Sequence, residues 1–227
     1  MLTPKKKLTR REMKQDKLVT TWFKVNDYLS QHLREVLMAI GGVVIIAGVI
    51  VLFNYLKGKD EQEASEKFAE ARTEYNQQNY TAAIPLLEKL VNDYGGSKSA
   101  GLATIYLANA YMQTKDYANA EKYYQKYLDD VDSDAILSVS AAVGLAGSYE
   151  NRGDFAKAAK LYEEAAQKYN DSYRAPQLLI GAARCYKQAG QAEGVRRTLQ
   201  RLIDKYPKSP LVEEAKLLMA EAGQASS

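Results

Sequence analysis

The side chains most used for nucleophilic, acid–base and metal chemistry are scarce in this 227-residue sequence: one histidine, His32, and one cysteine, Cys185, far apart along the chain. A protein metal site usually needs three or four converging His, Cys or carboxylate ligands, and no such cluster can be read. There is no glycine-rich phosphate loop and no strand–Ser–helix nucleophile elbow. Acids are plentiful but fall at the spacing of solvated helix faces rather than as an isolated carboxylate pair. The sequence therefore predicts a non-enzymatic chain without cofactor or metal. A lone cysteine deep in an apolar pattern reads as a small core residue, and it leaves no intrachain disulfide to stabilise the fold. What remains for the polar side chains is binding, and the elements that would position them follow from hydrophobic patterning.

From Val36 to Leu56 the chain runs twenty-one residues without a charge (VLMAIGGVVIIAGVIVLFNYL). As a helix that run is about 31 Å long, close to the hydrocarbon thickness of a bilayer. A buried core helix of this length would carry a polar face. A cleaved signal would have a shorter leader and a small-x-small end, whereas this run ends Phe53-Asn54-Tyr55-Leu56-Lys57. The reading is an uncleaved transmembrane helix over 36–56. Nine Lys and Arg against four Asp and Glu precede Val36, and Asp60, Glu61 and Glu63 follow the span. The bias toward positive charge before the span puts the N-terminus in the cytoplasm and everything after it on the other side. The net charge of +3 thus reflects topology, with no indication of nucleic acid as a partner.

Residues 1–17 read as a basic, aperiodic cytoplasmic tail. From Leu18, the positions Leu18, Trp22, Val25, Leu29 and Val36 fall at 4, 3, 4 and 7, an amphipathic stripe that predicts an interfacial helix over 18–35 with Trp22 and Phe23 at headgroup depth. Within the span, Gly41 and Gly48 share a face that a second helix could approach. Trp22, Phe23, Gly41 and Gly48 are the expected membrane-contact residues.

After a charged linker at 57–63 the chain repeats itself. Tyr111, Tyr149 and Tyr186 are 38 and 37 residues apart, preceded by Leu107-Ala108, Leu145-Ala146 and Ala182-Ala183. They are followed by the turns Lys115-Asp116-Tyr117, Gly153-Asp154-Phe155 and Gly190-Gln191-Ala192, then by Ala120, Ala158 and Val195 and by Tyr124, Tyr162 and Leu199. An earlier unit shows as Phe68, Ala71, Tyr75, Asn79-Tyr80, Ala83 and Leu87, and the fourth closes with Tyr206-Pro207. Ser209-Pro210 followed by LVEEAKLLMAEAG reads as a capping helix from the N-cap serine onward, with Pro85 kinking an earlier helix. The predicted fold class is all-α: one transmembrane helix followed by a solenoid of about four helix pairs plus a cap over 64–222, with residues 223–227 disordered.

This pattern resembles the tetratricopeptide repeat (TPR), although the large-residue position of helix A holds Thr104, Ala142 and Leu179, never Trp, and the spacing exceeds the usual 34 residues. The resemblance implies a groove lined by helix A residues that takes an extended peptide or a partner helix. Its candidate lining is Arg72, Tyr75, Ile105, Asn109, Met112, Val143, Glu150, Ile180, Arg184 and Lys187. In one branch of the family, basic residues and asparagines clamp a peptide carboxylate; Asn109, Arg184 and Lys187 are the partial match. The whole-chain arrangement of basic tail, span and four repeats resembles the YfgM-like family of ancillary subunits of the bacterial SecYEG translocon. That resemblance implies residence in the inner membrane with periplasmic repeats. It further implies protein partners among translocon subunits, periplasmic chaperones and secretory clients; subunits of another membrane complex are the alternative. The repeat units are also similar to those of outer-membrane assembly lipoproteins and of Tol-Pal-associated coordination factors, but the former lack an uncleaved span and the latter are secreted.

Overall fold

The computed structural model describes residues 10–131 and 134–224. Its regular structure there is α-helical: α1 (Arg10–Gln31), α2 (Leu33–Asn76), α3 (Tyr80–Asp93), α4 (Lys98–Gln113), α5 (Tyr117–Asp130), α6 (Ala135–Asn151), α7 (Phe155–Lys168), α8 (Ala175–Gln188), α9 (Ala192–Lys205) and α10 (Val212–Gln224). The chain divides into two compact units, residues 1–58 and 59–227.

In the first unit the expected elements shift at both ends. Residues 10–17, expected to be aperiodic tail, form the first turns of α1, since Arg, Glu, Met, Lys and Gln are good helix formers with no Gly or Pro among them; residues 1–9 lie outside the described part. The interfacial helix expected over 18–35 stops at Gln31, a bend falls at His32, and Leu33, Arg34 and Glu35 open α2 instead. His32 Nδ1 lies 3.1 Å from Glu35 Oε2 at this break. Large apolar residues from Leu37 to Leu56 are exposed, Val44 at 64% and Phe53 at 64%, and a Cβ added at Gly41 or Gly48 would meet nothing. The run is long and apolar enough to cross a bilayer by length and composition.

In the second unit helix pairs alternate as A and B: the end of α2 with α3, α4 with α5, α6 with α7, α8 with α9, and α10 as a cap. Each A–B turn is built alike. Gln78, Lys115, Gly153 and Gly190 take φ of 62°, 63°, 82° and 70°. The next amide donates back to the carbonyl five residues earlier (Asn79 to Glu74, Asp116 to Tyr111, Asp154 to Tyr149, Gln191 to Tyr186, all 2.9–3.0 Å). This is a Schellman ending, and it leads directly into helix B, which Asp116 and Asp154 cap through the amides of Asn119 and Lys157. The small residues of the repeat sit where A and B touch: Ala71, Ala108, Ala146 and Ala183 on helix A, and Ala83, Ala120, Ala158 and Val195 on helix B, are all buried.

Three sequence expectations change here. The charged stretch 57–63 is helical, part of α2, and Glu61 in it reaches the start of α4, accepting from Lys98 N (2.6 Å), Ser99 N (3.1 Å) and Ser99 Oγ (2.8 Å). It satisfies amides that α4 leaves open, so the repeat unit begins before residue 64. The capping helix starts at Val212, because Ser209 Oγ accepts from Leu211 N and forms a turn rather than an N-cap. Gly223 and Gln224, expected to fray, close α10, while residues 225–227 lie outside the described part. α3 runs through Pro85 as one element; the bond the proline removes belongs to Thr81, on the exposed side.

Candidate partner-binding surface

Neighbouring repeats are joined by tyrosines and glutamates. Tyr111 donates to Glu88 at 2.7 Å and Tyr123 to the same carboxylate at 3.2 Å. Tyr149 donates to Glu121, which also holds Arg152 at 2.8 Å. Tyr186 donates to Glu163 at 2.7 Å, with Arg197 on the same oxygen at 3.0 Å. In each case a helix B carboxylate ties down the next unit. Burial pushes the Glu163 carboxyl up, but hydrogen bonds from Arg197 and Tyr186 outweigh it and hold the group below the ordinary 4.5. The first unit has Glu74 where the others have tyrosine, and no repeat precedes it to supply a partner.

A second set of tyrosines crosses to the helix A face. The Tyr124 ring lies over Gly144 of the next unit, where an added Cβ would overlap it, and the Tyr162 ring lies over Gly181, whose added Cβ would come to 3.3 Å. Their hydroxyls then reach the candidate binding row: Tyr124 donates to Asn109 Oδ1, and Tyr162 to Glu150 at 3.2 Å. Burial pushes both phenols well above their ordinary value.

The ten residues expected to line the groove do not share one environment. Arg72 is exposed over the Phe68 ring, and Tyr75 packs edge-on against Tyr80 and Tyr106. Ile105 is a correction: at 5% exposure it belongs to the core and can offer no open contact. Val143 and Ile180, with Tyr162, Gly181, Arg184 and Leu211, wall a depression of about 290 Å³ between the third and fourth units. Met112 accepts from Ser148 at 3.2 Å.

The three residues that partly matched a carboxylate clamp are engaged with the chain itself. Asn109 holds Tyr124, Arg184 makes a two-pronged pair with Glu150 at 3.0 Å on both nitrogens, and Lys187 pairs with Glu221 at 2.9 Å. The hydrogen bond to Glu150 raises the Arg184 pKa further above its ordinary value. A ligand carboxylate reaching Arg184 would have to displace an intramolecular one. The row therefore suits shape and apolar recognition of an extended segment better than capture of a free C-terminus.

Two features escaped sequence reading. Ile136 (69% exposed) and Tyr173 (81% exposed) flank an apolar groove of about 450 Å³ with Val139 and Tyr169. Neither occupies a repeat-defining position, so periodicity gave no signal. Conversely, Cys185 is fully buried, and burial pushes its thiol up to about 12, so it stays protonated at neutral pH. Among the described residues no three His, Cys, Asp or Glu side chains are grouped to hold a metal ion.

Stacked helix pairs with buried alanines at each A–B contact define a tetratricopeptide-type solenoid, a scaffold used for protein–protein interaction. The comparisons agree: the chain belongs to the tetratricopeptide repeat-like domain family, whose model matches residues 26–177, and a second tetratricopeptide repeat model matches 151–221. No curated protein matches. Among solved structures, the TPR-like repeats of a putative kinesin light chain from Podosopora anserina are similar at 17% identity, covering 73% of this chain and 88% of that one, with a TM-score of 0.56. MamA of AMB-1 is similar at 15% identity, covering 73% and 84%, with a TM-score of 0.52. Both likenesses concern the fold.

Proposed function

We propose that this chain is a single-pass protein of the bacterial inner membrane, with a cytoplasmic N-terminus, that holds its repeats in the periplasm. There it acts as an accessory factor of the Sec translocon, passing secreted or outer-membrane clients to periplasmic chaperones. The observation that carries the reading is the joining of a charge-asymmetric apolar span to the repeats in one family match: the model begins at residue 26, ahead of the span, and continues through the third unit. Protease added to spheroplasts should digest the repeats while leaving an N-terminal epitope protected; protected repeats would refute the topology. Photocrosslinkers at exposed Arg72 and Lys187 should capture secretory chains, a chaperone or translocon subunits, and a clean negative in growing cells would count against the handover role.

The second reading is a permanent structural subunit of another membrane complex. It is favoured by the internally paired charges of the binding row (Glu150–Arg184, Lys187–Glu221), which leave the surface suited to lasting apolar contact. Purification of the intact protein in mild detergent separates the two: a single stoichiometric assembly lacking the translocon supports the scaffold.

A further inference from the structure

Helix α1 carries more apolar surface than a solvated helix needs. Trp22 is 70% exposed, Phe23 66%, Tyr28 62%, Val25 46% and Leu29 38%. Successive residues of an α-helix are turned by about 100°, so Trp22, Val25 and Leu29 share one stripe while Phe23, although adjacent to Trp22, lies about a quarter-turn further round. Charge is sorted on the same helix. In the sequence of α1, four of the five cations, Arg10, Lys14, Lys17 and Lys24, recur at 4, 3 and 7 residues, a stripe beside the Trp22 stripe, and the fifth, Arg11, falls at the N-terminal end of the Trp22 stripe itself. Glu12, Asp16 and Asp27 recur at 4 and 11, a stripe on the side where Phe23 falls. Apolar residues, cations and acids thus define one common direction, and Phe23 lies roughly opposite to it.

We propose that α1 is a membrane-surface helix selective for anionic lipid, rolled so that the Trp22–Val25–Leu29 stripe enters the headgroup boundary with the basic stripe beside it, while Phe23 stays on the aqueous side. The occupant is a lipid leaflet rather than a protein groove, because the cations flank the apolar stripe as an anionic surface requires. The uncharged run also begins only a few residues beyond α1. The break at His32 lets the two helices take different directions: His32 N still donates to Tyr28 O at 3.0 Å and Val36 N to His32 O at 2.9 Å, while His32 itself leaves helical geometry. This inference rests on the membrane-anchor reading and departs from the expectation that Trp22 and Phe23 lie together at headgroup depth.

The full chain, reconstituted into vesicles of zwitterionic lipid with or without one third anionic phosphatidylglycerol, tests it, because Trp22 is the only tryptophan. Flotation with carbonate-resistant association reads the span alone; loss of it overturns the anchor reading and with it the premise. Given flotation, Trp22 emission should shift to the blue by roughly 10 nm in anionic vesicles and be quenched by bromine-labelled acyl chains, with iodide quenching falling about threefold. In the W22F/F23W double variant the tryptophan should remain as open to iodide as in water, and K14Q/K17Q/K24Q should abolish the difference between the two vesicle types. A water-exposed Trp22 in both vesicle types overturns the proposal and would point to a protein-docking helix. Equal quenching at positions 22 and 23 overturns the roll, and equal burial in zwitterionic vesicles overturns the selectivity.

Discussion

The uncharged run of α2 and the repeat unit are both rich in apolar residues, yet they use them in opposite ways. Between Leu37 and Leu56 the large apolar side chains are exposed and make no core; between Ala64 and Ala215 a continuous core buries its alanines, leucines and tyrosines against one another. Length and freedom from charge are all that the proposed span requires, so exchanges among Leu, Ile and Val should be tolerated there. The repeats depend on shape, and one methyl in the wrong place is felt.

Charge should break the first region and leave the second intact. Val44→Arg with Gly48→Arg should cost roughly 5–7 kcal/mol of insertion free energy, abolishing carbonate-resistant membrane association, while replacing Val49 and Ile50 by leucine should leave association unchanged. Shape should do the reverse: Gly144→Ala drives a methyl into the Tyr124 ring and should cost about 1–3 kcal/mol or more in thermal unfolding of the repeats, with membrane association untouched. Gly181→Ala, whose methyl would approach Tyr162 less closely, should cost less.

The A–B turns give a smaller contrast. Gly153→Ala puts a Cβ on a residue with φ of 82° and should destabilise by about 1 kcal/mol, whereas Lys115→Gly relieves the same strain at φ of 63° and should stabilise by a similar amount. Replacing Asp116 or Asp154 by Ala removes a helix B cap and should cost about 1 kcal/mol each.

The smallest effects are those of pH, and they too belong to the repeats. At Glu61 burial raises the pKa, but the bonds from Ser99 and Lys98 outweigh it and hold it below 4.5 in the fold. Its contribution is thus complete above that value and is lost as pH falls through the lower folded one, so Glu61→Gln should flatten the acid limb of a stability–pH profile. Burial raises Tyr124 and Tyr162 above the ordinary 10.0, so their contribution is present below pH 10 and is lost as pH rises through the folded values. Tyr162→Phe should lessen the alkaline loss, read by urea unfolding at pH 9 and 11.

Most of the fold was legible because repetition makes the evidence accumulate. The turns at Lys115, Gly153 and Gly190 and the alanines at 108, 120, 146 and 158 recur in register, and each recurrence supports the others. Boundaries were less legible: nothing local distinguishes the helical stretch 57–63 from a linker, since its order is held by Glu61 bonding to residues 37 and 38 positions later. The candidate row could be listed from sequence as a set of positions, but its chemistry could not be read there. Sequence identified Arg184 and Lys187 as cations; only packing reveals that Glu150 and Glu221 already occupy them.

The sequence by itself determined that an uncharged run of membrane-spanning length precedes helical repeats, and that the chain holds one histidine and one cysteine, far apart along it. Those conclusions rest on composition and period, which need no partner. Tertiary structure decided which carboxylates serve as joints, that Ile105 is core, and that the clamp-like cations are neutralised within the chain. Each of these depends on a residue 23 to 38 positions away or on burial, and side-chain reach across a fold cannot be read from spacing along one strand of sequence.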